Sequence, residues 1–536
     1  MKATHFTLTA VSALLATVLA GCGGGGGAGG VGTRSLSDAT GDLGASAQYA
    51  NQCAVDNTLA HSSSGDWLEG YRKGSRQTEQ QFIRAYMQES YLWYADMPQV
   101  NGQLPEYLQV GHEEGMQNYF RALLSPKLTV RGARKDRFSF AMPTAEWKAS
   151  SQAGTASGYG VDLGILKNEV PRDVRVLVVH EGTPAAQQGV SRGDMLVAVT
   201  TASGKRIDVV NTQDAAEVEE LNRVLFSAND GEKTGFELKP VDAAQPNRQT
   251  VLSAGEYQKP PVQTASVITT DDGAKIGYLQ FNGFTLPVES QLFKAVTDMK
   301  NQQVQDVVVD LRYNGGGYLY QSAQLAYMLS DTSLTQGKVF ERLQYNDKRR
   351  RETEASQSQM RFMSQTTGTE GTGTKAGQSL PNLGLKRVYV LTSASTCSAS
   401  ESLINGLRGV DVEVVQIGNT TCGKPYGFTA KDNCGMSYFP IEFDGVNDKG
   451  VGGFDAGFAP NCMVADDVTH QLGDVKESLL AAALHYRQHG SCPASSTVQG
   501  KQLDVTGADG TARPAGRIHD PRMVRSPALT NKFLLP

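Results

Sequence analysis

The sequence predicts a multidomain α/β chain: a small helical unit, then a β-rich unit, then a larger region in which strands alternate with helices. Three observations predict it. At 536 residues the chain is too long for one core and should divide into about three units of ordinary domain size. In "EQQFIRAYMQESYLWYADM", Phe82, Ile83, Tyr86, Met87 and Tyr91 recur at helical spacing and Leu92 extends the face, which predicts a helix with an aromatic inner stripe. From residue 259 onward, apolar runs such as "VQDVVVDLRY" alternate with amphipathic ones such as "VESQLFKAVTDMK". That alternation predicts a parallel or mixed sheet with helices packed on it.

Composition narrows the function classes. Hydrophobic residues at 39% and charged ones at 20% suit a soluble globular chain, and a net charge of -5 argues against nucleic acid as a partner. The basic run Lys348–Arg351 sits beside Asp347 and Glu352, so it reads as a solvated loop rather than an anion site. There is no Walker loop, dinucleotide fingerprint or CxxC pair, and the eight histidines are scattered without an HExxH motif. Neither metal nor cofactor is expected.

The N-terminus begins "MKATHFTLTAVSALLATVLAGC", with a lysine, an apolar stretch from Phe6 to Ala20, then small residues. The stretch falls short of the roughly 20 residues of a membrane-spanning helix and reads as a secretory signal. Its end, "LAGC", resembles the lipobox of bacterial lipoproteins. The resemblance implies residues 1–22 as signal peptide, lipidation at Cys22, and a membrane anchor. It also implies an outer-membrane site facing the periplasm, since Gly23 is not the aspartate that typically retains such proteins at the inner membrane. Residues 23–47 open with "GGGGGAGGVG" and read as a flexible tether. Without Cys22, six cysteines remain: Cys53, Cys397, Cys422, Cys434, Cys462 and Cys492. An even number in an exported chain predicts disulfides without fixing their connectivity. Cys422–Cys434 and Cys462–Cys492 are the expected pairs, with Cys397–Cys422 as an alternative.

Residues 48–153 form the helical unit, whose second helix, "EEGMQNYFRALL", is stopped by Pro126. Residues 154–258 read strand, strand, short helix "PAAQQGV", then "RGDMLVAV". The loop "GYGV", Gly158, Tyr159, Gly160 and Val161, followed by "GTPAAQQGVSRGDML", resembles a PDZ domain of the bacterial protease type. Physically, consecutive N–H groups in a glycine loop hold a terminal carboxylate while an adjacent strand edge accepts an extended peptide. Residues 259–490 are the α/β core, carrying a Gly/Thr-rich insert read as a surface loop, and 491–536 a tail of little periodicity.

Three spaced motifs in the core carry a further resemblance: "DLRYNGGG", then "SASE" at a helix start, then "GK". Together with the PDZ-like unit they resemble the carboxyl-terminal processing peptidases, the tail-specific serine–lysine proteases, in that family's order. The resemblance implies a ClpP/crotonase-like α/β protease core, with Ser398 as nucleophile and Lys424 as general base. The chemistry stands without the family. A serine hydroxyl needs a base to take its proton, and a lysine serves only when desolvated. Ser398 at a helix N-terminus gains from the positive end of the dipole. The N–H groups of Ala399 and Gly316 are the expected oxyanion donors. Ser398 also reads as an N-cap partnered by Glu401, and Ser400 is the other capping candidate. One departure stands out: where the family carries a glutamine four residues after the lysine, this chain has Phe428. The predicted function is an envelope-tethered serine endopeptidase that engages protein substrates by free C-terminal tails. The alternative is a non-catalytic peptide-binding scaffold that keeps the protease fold. A lipase-type hydrolase is excluded by the absence of a GxSxG elbow.

Overall fold

The computed structural model describes residues 45–494, apart from 130, 131, 150, 152, 153 and 227, and the backbone of Lys532–Phe533. Cys22, the signal segment, nearly all of the tether and most of the tail lie outside these residues. No described helix is long and apolar enough to cross a membrane.

The central sheet runs in the order Val262–Thr269, Lys275–Phe281, Asp306–Asp310, Arg387–Thr392, Glu413–Gly418, Cys462–Met463. The first strand is antiparallel to its neighbour and the rest are parallel. Parallel strands buried on both faces need apolar residues on both, and the alternation within "DVVVD" meets that demand. Val307 and Val309 pack under the helices Val288–Asn301, Leu319–Leu329 and Ala399–Gly409. Val308 points to the opposite face, against the helix Ser478–His489. A disulfide between Cys462 and Cys492 ties the edge strand to the segment after that helix.

The β-rich unit has its own core and an antiparallel sheet ordered Arg248–Ser253, Lys233–Lys239, Met195–Thr200, Asp173–Val179, Val161–Lys167. Val161–Lys167 is therefore an edge strand. The strands by which the chain enters and leaves, Thr155–Gly158 and Gly255–Gln258, pair with each other.

One expectation changes. The N-terminal helices do not bury their aromatic stripe among themselves. Phe82, Met87, Tyr119 and Phe120 share one core with Phe428, Met436, Tyr438 and Phe439 of the α/β region. The strand Phe140–Pro143 pairs with Met436–Phe439, and Cys53 is bonded to Cys434. A stripe of large aromatics on so short a unit exceeds what its own few helices can cover, so the unit shares its core with the α/β region. The threonine-rich insert is the surface loop that its composition predicts, and it is pinned to the core. Glu289, buried, accepts from the Thr367 N–H and hydroxyl, both at 3.0 Å, and from Thr374.

Candidate active site

The strand Asp306–Asp310 ends in the turn Arg312–Gly317, which Asn314 holds in shape. Its Oδ1 accepts from the Gly316 N–H at 2.9 Å, its Nδ2 donates to Phe281 O at 3.2 Å, and its carbonyl accepts from the Cys397 N–H at 3.1 Å. The neighbouring strand Arg387–Thr392 leads into the hydroxyl cluster, most of which is structural. Thr396 Oγ1 donates to Leu311 O (2.8 Å), Ser393 to Arg312 O, and Ser400 to Asn314 O (3.1 Å). Ser400 thus fastens the helix start to the glycine turn instead of capping the helix.

Ser398 stands apart. It precedes the helix Ala399–Gly409 with φ 58° and ψ -116°, in a region that side chains rarely occupy. Its hydroxyl is fully buried and makes no hydrogen bond of ordinary geometry among the described residues. A strained backbone carrying a buried, uncommitted hydroxyl marks a functional position more often than a structural one. The turn approaches it closely: a Cβ on Gly316, whose φ is 111°, would come within 2.8 Å of Ser398 Cβ. Ala399, the first helical residue, has an N–H without an intrahelical acceptor. Gly316 requires a correction. Its N–H is donated to Asn314, so it is not the open oxyanion donor that the motif suggests; its smallness is what the site uses.

Lys424 is fully buried, and its Nζ lies 4.6 Å from the centre of the Phe428 ring and 5.3 Å from that of Phe138. The residue replacing the expected glutamine therefore packs its ring on the lysine. The segment Thr420–Pro425 has no helix or strand of its own and is fastened by groups from elsewhere. Gly423 has φ 82°, and a Cβ there would strike Asp455 O at 2.3 Å, so the "GK" turn needs its glycine. Arg137 donates to the carbonyls of Cys422 (3.0 Å) and Asp455 (3.2 Å).

Glu401, whose place in the sequence signals only a cap, joins the two sides. Its Oε2 accepts from the Ser398 N–H at 2.9 Å and from the Lys424 N–H at 2.8 Å. Its Oε1 accepts from the Gly423 N–H at 2.8 Å and from Thr421 Oγ1 at 2.6 Å. Burial pushes the carboxyl above its ordinary range, and the four donors pull it part of the way back. The only sequence signal was its place three residues after Ser398, which capping explains equally well.

A disulfide between Cys397 and Cys422 links the residue before Ser398 to the turn before Lys424, with Cα atoms 5.2 Å apart. The expected Cys422–Cys434 pair is thus replaced. Cys434 faces Cys53, a partner 381 positions away that local spacing could not suggest. Cys397, Glu401 and Cys422 cluster closely enough to be metal ligands in principle. The donor set does not fit, because both sulfurs are in the disulfide and both carboxylate oxygens are already taken.

The loop Gly158, Tyr159, Gly160, Val161 leads into the edge strand. Tyr159 points inward, its hydroxyl 2.8 Å from Thr234 Oγ1. This unit reaches the glycine turn through Arg192, which donates to Tyr313 Oη at 2.7 Å and to Asp466 at 2.9 Å. Asp466 also accepts from Arg312, whose buried guanidinium pairs with Asp310 and Glu477 as well.

Residues 275–431 match the model of Peptidase family S41, and residues 78–140 that of the Peptidase S41 N-terminal domain. The fold is that of a solved S41 protease: a putative S41 protease from Bacteroides fragilis superposes with TM-score 0.56 at 23% identity, covering 79% of this chain and 99% of that one. Carboxyl-terminal-processing peptidase 3, chloroplastic, of Arabidopsis thaliana is 29% identical over 32% of this chain and 32% of its own length. The carboxy-terminal processing protease CtpA of Bacillus subtilis is 23% identical over 61% of each chain. The matched segments thus span less than two thirds of these relatives. These matches make the chain similar to the carboxyl-terminal processing peptidases of family S41.

Proposed function

We propose that the protein is a serine endopeptidase working through Ser398 and Lys424. The observation that carries the reading is the shared carboxylate: one oxygen of Glu401 holds the backbone N–H of both residues. Lys424 Nζ takes the proton of Ser398 Oγ as the oxygen attacks the peptide carbonyl. The Ala399 N–H receives the developing oxyanion. The C–N bond then breaks as Lys424 returns the proton to the leaving amine, and water hydrolyses the ester with the lysine again as base. Full burial between Phe138 and Phe428 favours the neutral amine. Desolvation disfavours the ammonium, and the ring faces offset only part of that cost. Acting as base near neutrality requires that balance.

Substrates enter as unfolded C-terminal tails, caught by the Gly158–Val161 loop and the open edge of Val161–Lys167, a mode of β-augmentation. The protein is exported and tethered to the envelope through Cys22, facing the periplasm. Three disulfides in one chain support an oxidising compartment. Proteolysis of a loosely folded, tailed substrate by wild type and by Ser398→Ala tests the activity. Amidation of the substrate's C-terminus should weaken its cleavage, and Cys22→Ala should release the protein from membranes. Unchanged rates, or unchanged fractionation, would refute the respective element.

A further inference from the structure

The strand Lys532–Phe533 lies between Gly317–Tyr318 and Tyr426–Phe428, parallel to both. Lys532 is level with Gly317 and Gly427, and Phe533 with Tyr318 and Phe428. The far edges of the two flanking strands are already occupied. Tyr318 donates to Phe284 O at 2.7 Å and Phe284 to Gly316 O at 2.8 Å, while Tyr426–Phe428 pairs with Phe443–Val446. The two facing edges therefore bound a slot one extended strand wide, and without an occupant each would present unpaired backbone groups.

Both walls of the slot start at the candidate dyad. Gly317 directly follows Gly316, which packs against Ser398. Tyr426 follows Lys424 by one intervening residue, Pro425. Both walls run away from the dyad, so a strand parallel to them leads outward from Ser398. An extended peptide laid along two open edges is held by main-chain hydrogen bonds with little demand on its side chains. That is the requirement for cutting unfolded chains of varied sequence.

We propose that this slot binds the extended substrate segment, and that the chain's own Lys532–Phe533 occupies it as an intramolecular inhibitor. The proposal rests on the reading of Ser398 and Lys424 as the dyad. The occupant belongs to the segment "NKFLLP", an apolar stretch of the kind a tail-cleaving site would accept. A tethered ligand acts at an effective concentration in the millimolar range, so a substrate supplied in trans must outcompete it.

The test uses a fluorescent peptide of sequence Asn-Lys-Phe-Leu-Leu-Pro and three forms of the Ser398→Ala protein: the full chain, a chain ending at Thr530, and the full chain with Lys532→Pro and Phe533→Pro. Proline removes the ladder donor without shortening the chain. Anisotropy should show binding to the shortened and proline forms, weakened about tenfold or more in the full chain. Equal binding to all three, or to none, would overturn the proposal. With Ser398 intact, shortening should lower the apparent KM for an unstructured peptide and leave kcat unchanged. If binding differs as expected but no form cleaves, the slot stands and the peptidase reading falls. Ser398-dependent cleavage that is indifferent to the tail, without peptide binding, would sink the slot alone.

Discussion

The two sides of the candidate site are built differently. Ser398 follows a strand in the middle of a parallel sheet and begins a buried helix, so the sheet itself delivers it. Lys424 sits in a stretch without helix or strand, held by Glu401, the Cys397–Cys422 disulfide and Arg137. Under the proposed roles, a nucleophile supplied by the fold is lost only with the fold. A proposed base supplied by tethers is displaced when a tether is cut, and the protein remains folded. Changes on the lysine side should therefore separate activity from stability.

The largest effects are expected at the proposed dyad, Ser398 and Lys424. Ser398→Ala and Lys424→Ala should each lower kcat by about a thousandfold or more. The double variant should be little worse than either, because residues that act as a unit are not additive. Activity should rise with pH as Lys424 loses its proton; an additive double variant would mean the two do not act together.

Next comes Glu401→Gln, which places an amide where one oxygen now accepts N–H donors. Misplacement of the lysine turn should reduce kcat about 10- to 100-fold with KM nearly unchanged, and thermal unfolding should show a cost of about 1–3 kcal/mol. Equal loss in KM would point to a role in substrate binding instead.

A comparison of disulfides sharpens the contrast. Cys397–Cys422 and Cys462–Cys492 close loops of similar sequence separation, 25 and 30 residues. Loop closure alone predicts about 3 kcal/mol of stabilisation from each. Replacing either pair by serines should thus lower stability comparably, whereas only the Cys397/Cys422 replacement should lower turnover. Equal activity in both variants would show that the lysine turn does not depend on its clamp.

The smallest effect near neutrality concerns Asp466, which joins the β-rich unit to the glycine turn. Burial alone would raise its carboxyl, but Arg312 and Arg192 hold it below the ordinary value of 3.8. A depressed carboxyl contributes stability above its unfolded value and loses it as pH falls through the folded one. The joint should therefore be unchanged between neutrality and mild acid and weaken only below about pH 4. Thermal unfolding across that range, compared with Asp466→Asn, measures it.

What the sequence revealed divides along the same line. The buried strands, the helix after Ser398 and the edge strand after "GYGV" are legible because periodicity reports burial. The tethers are not. Cys434 pairs across 381 positions, Glu401 carries a capping signature that hides its four donors, and the Gly316 N–H is claimed by a side chain two residues back. The aromatic stripe from Phe82 to Tyr91 announces burial without naming its partner, so the core that the N-terminal helices share with the α/β region is not legible. Two residues are too few to show a period, so nothing marks Lys532–Phe533 as the docked part of a tail whose composition allows either docking or mobility.

The most direct test of the central claim is covalent labelling with a fluorophosphonate at neutral pH, with the modified residue located by peptide mapping. A single adduct is expected on Ser398, absent in Ser398→Ala and slowed by orders of magnitude in Lys424→Ala. Undiminished labelling in Ser398→Ala, or a Lys424→Ala protein labelled at the wild-type rate, would contradict it.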